Sequence, residues 1–187
     1  DDRDATKGAV LHDWNEPLRT IHFRAEGAHE YTALLYLPKE RPMDLFDSES
    51  KASRVSLYVR RVLIMRECED LLPPWLRFVR GVVESADLPL NVSRELLQNN
   101  PKVGRIRNRL VKKVLETLGT MLSAERSEYE GLWLAFGSLI KEGIYFGDDE
   151  DSRISKISLF RSSRSEGWTT LGEYVQRMGK DQEVIHV

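Results

Sequence analysis

The first half of the chain alternates between apolar and polar residues in the way that β-strands do. In RTIHFRA (19–25), Ile21 and Phe23 fall on one side, which predicts a half-buried strand. HEYTALLYLP (29–38) is apolar on both sides and ends at Pro38, which predicts a strand inside a sheet. Two further strands are predicted from VSLYVRRVLIM, which Arg60 and Arg61 interrupt, and from FVRGVVES.

The period of the apolar positions becomes helical after residue 100. One amphipathic helix is predicted over 102–122 and a second over 124–142, with Gly143 as its C-cap. The apolar positions that define them are Ile106, Leu110, Val114, Leu118 and Met121 in the first and Tyr129, Trp133, Phe136 and Ile140 in the second.

The last part of the chain gives shorter patterns. A short helix is predicted over 153–161 and a final strand in EVIHV (183–187). Thr170 and Glu173 have the spacing of a capping box, which predicts the start of another helix. Because strands come first and helices later, the order predicts an α/β (α+β) fold in which a sheet layer precedes a helical segment.

Charge and composition narrow the classes of partner. The net charge of −2 gives no general attraction for nucleic acid or anionic lipid. The longest clean apolar run, Val62 to Met65, is far too short to span a membrane. The polar start without an initiator Met shows no signal-peptide pattern and suggests a fragment. Cys68 is the single cysteine, so no internal disulfide forms, as expected in a reducing cytoplasm.

The segment DLPLNVSRELLQNNP (87–101) carries the most specific chemistry. Ser93 is a good N-cap, yet the next residue is Arg94, although a helix N-terminus favours negative charge. Gln98 lies four residues later on the same helical face. A guanidinium, an amide and free backbone N–H groups together suit an oxyanion such as a phosphate. Asn91 can hold a turn in the preceding loop.

The same segment also has a purely structural interpretation. Arg94 could pair with Asp87 or Glu95, while the leucines of the segment face the core. Spacing alone favours this interpretation, because structural ion pairs outnumber functional sites.

The other candidate sites are weaker. The cations from Lys102 to Lys113 lack interleaved aromatic residues and predict a solvated helix face more than a nucleic-acid groove. The four histidines match no metal-ligand spacing, so no metal site is predicted. Cys68 lies among acidic residues, which disfavours an activated thiolate. No glycine-rich phosphate loop occurs, so the main pocket for any nucleotide lies elsewhere.

Several long segments, in order, resemble the middle domain of the heat-shock protein 90 chaperone family, closest to its bacterial branch. The resemblance covers about residue 13 to the end. It is carried by PLRTIHFRAEGAHEYTALLYLPKERPMDLFD, LYVRRVLIM, LPPWLRFVRGVVESADLPLNVSRELLQNN, IRNRLVKKVLE, FGSLIKEGI and TTLGEYVQRM. It implies a layered α/β/α middle domain with a mixed sheet, followed by a short helical connector. The implied division is a large part over 1–122, a connector over 123–160 and the beginning of a small part over 161–187.

The resemblance also implies a shared active site. The family's catalytic loop corresponds to residues 87–98, so Arg94 would reach the γ-phosphate of ATP and Gln98 would assist. Asn91 and Ser93 would shape the loop, and Leu88 and Val92 would dock on the N-terminal domain. ATP and Mg²⁺ would be bound mainly by that absent domain. This chain alone would then hold no cofactor and be inactive.

The family further implies a stress-response chaperone that binds unfolded or partly folded client proteins and dimerises through an absent C-terminal domain. Trp14 matches a tryptophan near the client-facing surface, while Leu63 stands where the family usually has Phe. Arg60 and Arg61 match the family's paired arginines, with either a structural role or contacts to the nucleotide domain. The alternative function is a pure client or cochaperone interaction module, without a catalytic contribution.

Overall fold

The computed structural model describes residues 16–26, 30–42, 53–90, 97, 100–149 and 152–185. The strands are β1 (Arg19–Ala25), β2 (Tyr31–Leu37), β3 (Arg54–Val59), β4 (Val62–Met65), β5 (Arg80–Ser85), β6 (Leu159–Ser162) and β7 (Ser165–Thr170). The α-helices are α1 (Pro101–Ala124), α2 (Arg126–Tyr145), α3 (Arg153–Ile157) and α4 (Leu171–Gln176), and a 3₁₀ turn spans Pro74–Leu76.

The chain divides into two compact units, Asp1–Val114 and Leu115–Val187. The division falls within α1, so the first unit contains the beginning of that helix and the second its end. The three-part division expected from the resemblance stays a prediction.

The first unit is built on a five-stranded sheet with the order β1-β2-β5-β3-β4. Strands β3 and β5 run parallel, and the other neighbouring pairs run antiparallel. The predicted mixed α/β fold is therefore confirmed. The interior position of β2, between β1 and β5, confirms the strand that was predicted from apolar residues on both its sides.

One face of the sheet forms the main core of the first unit. Side chains alternate between the two faces of a strand, so every second residue points to the same side. The register places Leu35 beside Gly81, and Leu57 beside Val83. The fully buried residues on this face are Ala33, Leu35, Leu37, Val55, Leu57, Val59 and Val83.

Gly81 allows the close pairing of β2 and β5. Its φ angle is +148°, which side-chain-bearing residues rarely adopt. A Cβ atom added there would lie 2.2 Å from the Leu34 carbonyl oxygen and 2.8 Å from Leu35 Cα. The centre of the sheet therefore requires glycine at this position.

The predicted third strand is in fact a hairpin, so the prediction of one interrupted strand was wrong. Arg60 and Arg61 both have positive φ angles, 47° and 66°, and form the two-residue turn between β3 and β4. Such turns favour Asn and Gly, so two arginines gave no indication of one. The Arg60 N–H donates to the Ser85 carbonyl (3.3 Å), and the Arg61 N–H donates to Glu84 Oε1 (3.1 Å).

Helix α2 supplies the core of the second unit. Its aromatic stripe is buried as predicted, with Tyr129, Trp133 and Phe136 facing inward. The predicted C-cap at Gly143 is wrong, because the helix continues to Tyr145 and Gly143 is buried within it. The Tyr129 hydroxyl donates to the Ile157 carbonyl at 2.6 Å, and burial raises the pKa of Tyr129 despite the nearby Arg126 charge.

The short helix and final strand of the second unit also differ from expectation. The helix predicted over 153–161 ends at Ile157, and the chain then forms the antiparallel hairpin of β6 and β7, so the predicted end of the helix was wrong. Within the predicted final strand, residues 183–185 lie outside any strand, and residues 186–187 are outside the described part of the chain.

The capping box at the start of α4 is confirmed. The Glu173 N–H donates to Thr170 Oγ1 (3.0 Å), and the Thr170 N–H donates to Glu173 Oε2 (2.7 Å). Arg126, the first residue of α2, adds charge-assisted contacts to this box through Glu173 Oε1 (3.2 Å). Partial burial raises the pKa of Glu173, but the hydrogen bonds from Thr170 and the Arg126 charge outweigh it, so the net shift is downward.

Candidate functional site

The candidate site is the segment 87–100, here called the arginine loop. Most of its predicted functional residues lie outside the described part of the chain, so their proposed roles stay predictions: Asn91, Val92, Ser93, Arg94 and Gln98. Trp14 lies outside it as well. The structure describes both ends of the loop, namely residues 87–90, Leu97 and Asn100.

The first end of the loop follows β5 and is tied to the start of β2. The Glu30 N–H donates to Asp87 Oδ2 at 2.7 Å, and the Ala86 N–H donates back to the Glu30 carbonyl at 3.4 Å. The Asp87 N–H also donates to Ser85 Oγ at 3.3 Å. One oxygen of Asp87 is therefore engaged by a backbone N–H group.

The β3–β4 turn holds the same end of the loop. Arg60 Nε donates to the Ala86 carbonyl at 3.2 Å, in addition to the backbone bond between Arg60 and Ser85. The positive φ of Arg60 is part of the turn that brings this side chain to the end of β5. The structure thus gives Arg60 a hydrogen bond to the beginning of the arginine loop.

The second end of the loop is the start of α1. Asn100 Oδ1 accepts a hydrogen bond from the Lys102 N–H at 2.9 Å, as an N-cap side chain does. Pro101 occupies the first helical position, where its missing N–H costs nothing. The helix therefore begins one residue before the predicted position.

Lys102 joins the two ends of the loop. Its Nζ donates to the Asp87 carbonyl oxygen at 3.1 Å, although the two residues are 15 positions apart. Neither this contact nor the Glu30–Asp87 bond, which joins residues 57 positions apart, was predicted from the sequence. Hydrogen bonds between such distant residues leave no periodic pattern in a sequence.

Apolar residues of the loop divide between the core and the surface. Leu88 and Leu97 are each 1% exposed, whereas Leu90 is 50% exposed. In this conformation Leu88 packs in the core, as the structural interpretation of the loop expected, whereas the exposure of Leu90 contradicts that interpretation. Its predicted docking on another domain would require it to leave that position, whereas Leu90 is already accessible.

The remaining candidates lack the features of an active site. Cys68 is fully buried, so its thiol is not accessible to a substrate as a nucleophile. In the described part of the chain, no group of three or more His, Cys, Asp or Glu residues could hold a metal ion. Arg105, Arg109 and Lys112 are exposed on α1, which agrees with a solvated basic face. Among the described helices, none is long and apolar enough to cross a membrane.

Comparison with known proteins identifies the class of this chain. The family model described as Hsp90 protein matches residues 7–187. The chain belongs to the Hsp90 family. It is 49% identical over 177 residues to the chaperone protein HtpG of Paramagnetospirillum magneticum and 48% identical over 177 residues to that of Bdellovibrio bacteriovorus. The resemblance to the bacterial branch is confirmed.

A solved structure shows which domain of the family this chain resembles. The chain superimposes on the middle domain of a Plasmodium falciparum heat shock protein with a TM-score of 0.84 and 25% identity. The match covers 98% of this chain and 72% of that chain. The two HtpG alignments cover 95% of this chain but 28% of each relative. The chain therefore spans a little more than a quarter of the relatives' length and has the fold of an Hsp90 middle domain.

Proposed function

We propose that this chain is the middle-domain part of an ATP-dependent molecular chaperone, in which Arg94 contacts the γ-phosphate of ATP and Gln98 assists. This proposal rests on the family match, which includes all of residues 87–98. The ATP and Mg²⁺ would be held mainly by the N-terminal domain of the full-length protein. Neither is expected to bind tightly to this chain alone.

The chemistry of Arg94 would be electrostatic. In phosphoryl transfer, negative charge spreads over the equatorial oxygens of the transferred group, and a guanidinium placed against them stabilises the transition state. Arg94 directly follows Ser93, the N-cap predicted from the sequence, and at such a position a cation is unfavourable by a few tenths to about 1 kcal/mol. A phosphate delivered by another domain would offset this cost. Asn91 and Ser93 would shape the loop, and Val92 with Leu88 or Leu90 would meet the other domain.

The experiment is the Arg94→Ala variant of the full-length chaperone. Turnover of ATP should fall by about 10²-fold or more, while ATP affinity stays near the wild-type value, because a contact made only in the transition state is lost. Arg164→Ala is the matched control, since it removes an exposed arginine from the β6–β7 turn. Unchanged turnover in Arg94→Ala would refute the catalytic role.

Unchanged turnover in Arg94→Ala would instead favour a pure interaction module for clients or cochaperones.

One observation supports client binding whether or not Arg94 is catalytic: α2 exposes apolar side chains at its surface and at its end. Leu134 is 68%, Tyr145 84% and Phe146 66% exposed, and the two aromatic rings contact each other edge to face at 5.2 Å. Weak recognition of varied partners suits scattered apolar surface of this kind. Trp14 is proposed to contribute to the client surface.

The proposed setting follows from the family. The full-length protein would be a homodimer joined by its C-terminal domain, would bind unfolded or partly folded proteins and would act during stress. The single cysteine is in keeping with a reducing compartment such as the cytoplasm.

A further inference from the structure

We propose that the aromatic end of α2, which consists of Tyr145 and Phe146 with Glu142 and Asp148 beside them, binds segments of unfolded protein that combine cationic and apolar side chains. The inference rests on the client binding in the proposed function and names the class of segment that this surface prefers. It does not depend on Arg94, because every residue that carries it lies at the end of α2 or in the turn that follows.

Two neighbouring aromatic side chains are largely exposed at this end of the helix. Tyr145 and Phe146 are among the most exposed of the large apolar residues, and their rings contact each other edge to face. Aromatic rings bury a large apolar area when a partner covers them, and that burial favours association. Apolar side chains of a partner would therefore cover both rings at once.

The backbone that presents the two rings is fixed by hydrogen bonds. The Phe146 N–H donates to the Glu142 carbonyl at 2.9 Å, and the Asp148 N–H donates to the Gly143 carbonyl at 2.8 Å. Gly147 has a φ angle of +82°, the left-handed conformation in which many helices end. A partner then binds to a preformed surface, so docking does not have to order a loop.

The charges near the rings favour a cationic partner. The carbonyl end of a helix carries partial negative charge, which a cation in the last turn offsets, but α2 has no basic residue there. Glu142 lies one turn before Phe146, and Asp148 follows two residues after it. The one lysine of α2, Lys141, places its Nζ over the Phe160 ring instead, 4.4 Å from its centroid.

The aromatic rings and the carboxylates select the same kind of side chain. A lysine or arginine is attracted to the face of an aromatic ring, and its methylene groups pack against apolar surface. The same contact occurs within this unit, where the Arg161 guanidinium lies 4.1 Å from the centroid of the Trp168 ring. An anionic segment would instead meet charge of its own sign.

The experiment measures the binding of three fluorescein-labelled peptides to the full-length chaperone by fluorescence anisotropy. The peptides share the same leucines and phenylalanines and differ in the residues between them, which are lysine, glutamine or glutamate. The wild type should bind the lysine peptide about tenfold more tightly than the glutamine peptide, and the glutamate peptide most weakly. High salt should reduce these differences.

Variants locate the preference on the chain. The double variant Tyr145→Ser, Phe146→Ser should lower the preference for lysine over glutamine to about twofold or less, and Asp148→Asn should lower it to about fivefold. Leu134→Ser is the matched control and should keep the full preference. It removes another exposed apolar side chain of α2, about three turns away from the aromatic end.

The outcomes separate this inference from the proposed function. Equal affinity for the three peptides, or a preference that survives in the double variant, would overturn the inference and leave client binding in place. Absence of binding for all three would refute both. A smaller oligomer in the double variant would show that the surface joins copies of this chain, which also overturns the inference. Unchanged turnover in Arg94→Ala would refute only the catalytic role.

Discussion

Replacing Gly81 by Ala tests how closely β2 and β5 are paired at the centre of the sheet. The added Cβ would lie 2.2 Å from the Leu34 carbonyl oxygen, and the nearest atoms are all backbone, so no side chain can rotate away to relieve the contact. Either the strand separation must increase or the φ angle of +148° must change. Both responses disturb the register that places Leu35 beside residue 81.

The expected loss of stability in Gly81→Ala has two sources. A non-glycine residue in a sparsely populated backbone region costs about 1 to 3 kcal/mol, and forcing a packed structure apart costs about 1 to 3 kcal/mol more. The two costs overlap, because one backbone shift relieves part of each. We therefore expect Gly81→Ala to lower the free energy of unfolding by about 3 kcal/mol, and the melting temperature by about 6 to 12 °C for a chain of this length.

Gly104→Ala is a matched control with the opposite expected sign. Gly104 lies in the same unit, on α1, and a Cβ there would meet no heavy atom within 4 Å. Alanine at an unobstructed helix position should stabilise the chain by about 0.5 to 1 kcal/mol. Urea unfolding, followed by far-UV circular dichroism, would measure the free energy of unfolding of both variants, and amide hydrogen exchange in β2 and β5 would show where the structure is loosened. Equal stability of Gly81→Ala and wild type would refute the close pairing of β2 with β5.

Two further predictions concern the second unit. Tyr129→Phe should lower the free energy of unfolding by about 1 to 2 kcal/mol, because the buried Ile157 carbonyl loses its hydrogen-bond donor at 2.6 Å. Urea unfolding measures this, and an unchanged midpoint urea concentration would show that the bond is not formed. Glu173→Gln should destabilise the chain by less than about 1 kcal/mol at pH 7, since the side chain is 45% exposed and its pairing with Arg126 is screened. Because the pKa of Glu173 is lowered in the folded state, its ionised carboxylate stabilises the fold above pH 4.5, the usual pKa, and this stabilisation is lost as the pH falls below that value. The melting temperatures of wild type and Glu173→Gln should therefore converge in acid. A difference that stays constant with pH would contradict the lowered pKa.

The sequence predicted best those elements whose burial is periodic. β1 and α2 bury residues at the spacing of their own backbone, and β2 contains a continuous apolar run that ends at a proline, so all three could be predicted from the order of apolar residues. The β3–β4 turn could not, because Arg60 and Arg61 adopt positive φ without being residues that favour it. The tertiary hydrogen bonds to Ser85 and Glu84 support that turn, and they depend on the folded sheet.

The candidate site was less predictable from the sequence than the fold. A cation after a predicted N-cap contradicts the preference of a helix start, but spacing alone favoured a structural role; the phosphate-contacting role of Arg94 came from the family resemblance and stays a prediction. The groups that hold the ends of the loop were not predicted, because Glu30, Asp87 and Lys102 come together only through the pairing of β2 with β5 and the placement of α1. Polar residues at the surface have no period that would mark them as partners.

The enclosure of Cys68 has a practical consequence for spectroscopy. It is the chain's only thiol and it is shielded from solvent, so reagents such as maleimide dyes should reach it slowly in the native protein. A cysteine introduced in place of the half-exposed Leu90 could then be labelled selectively without first removing the natural one. A fluorophore at that site in the full-length protein would test whether another domain approaches the arginine loop when ATP is added, as the proposed function requires.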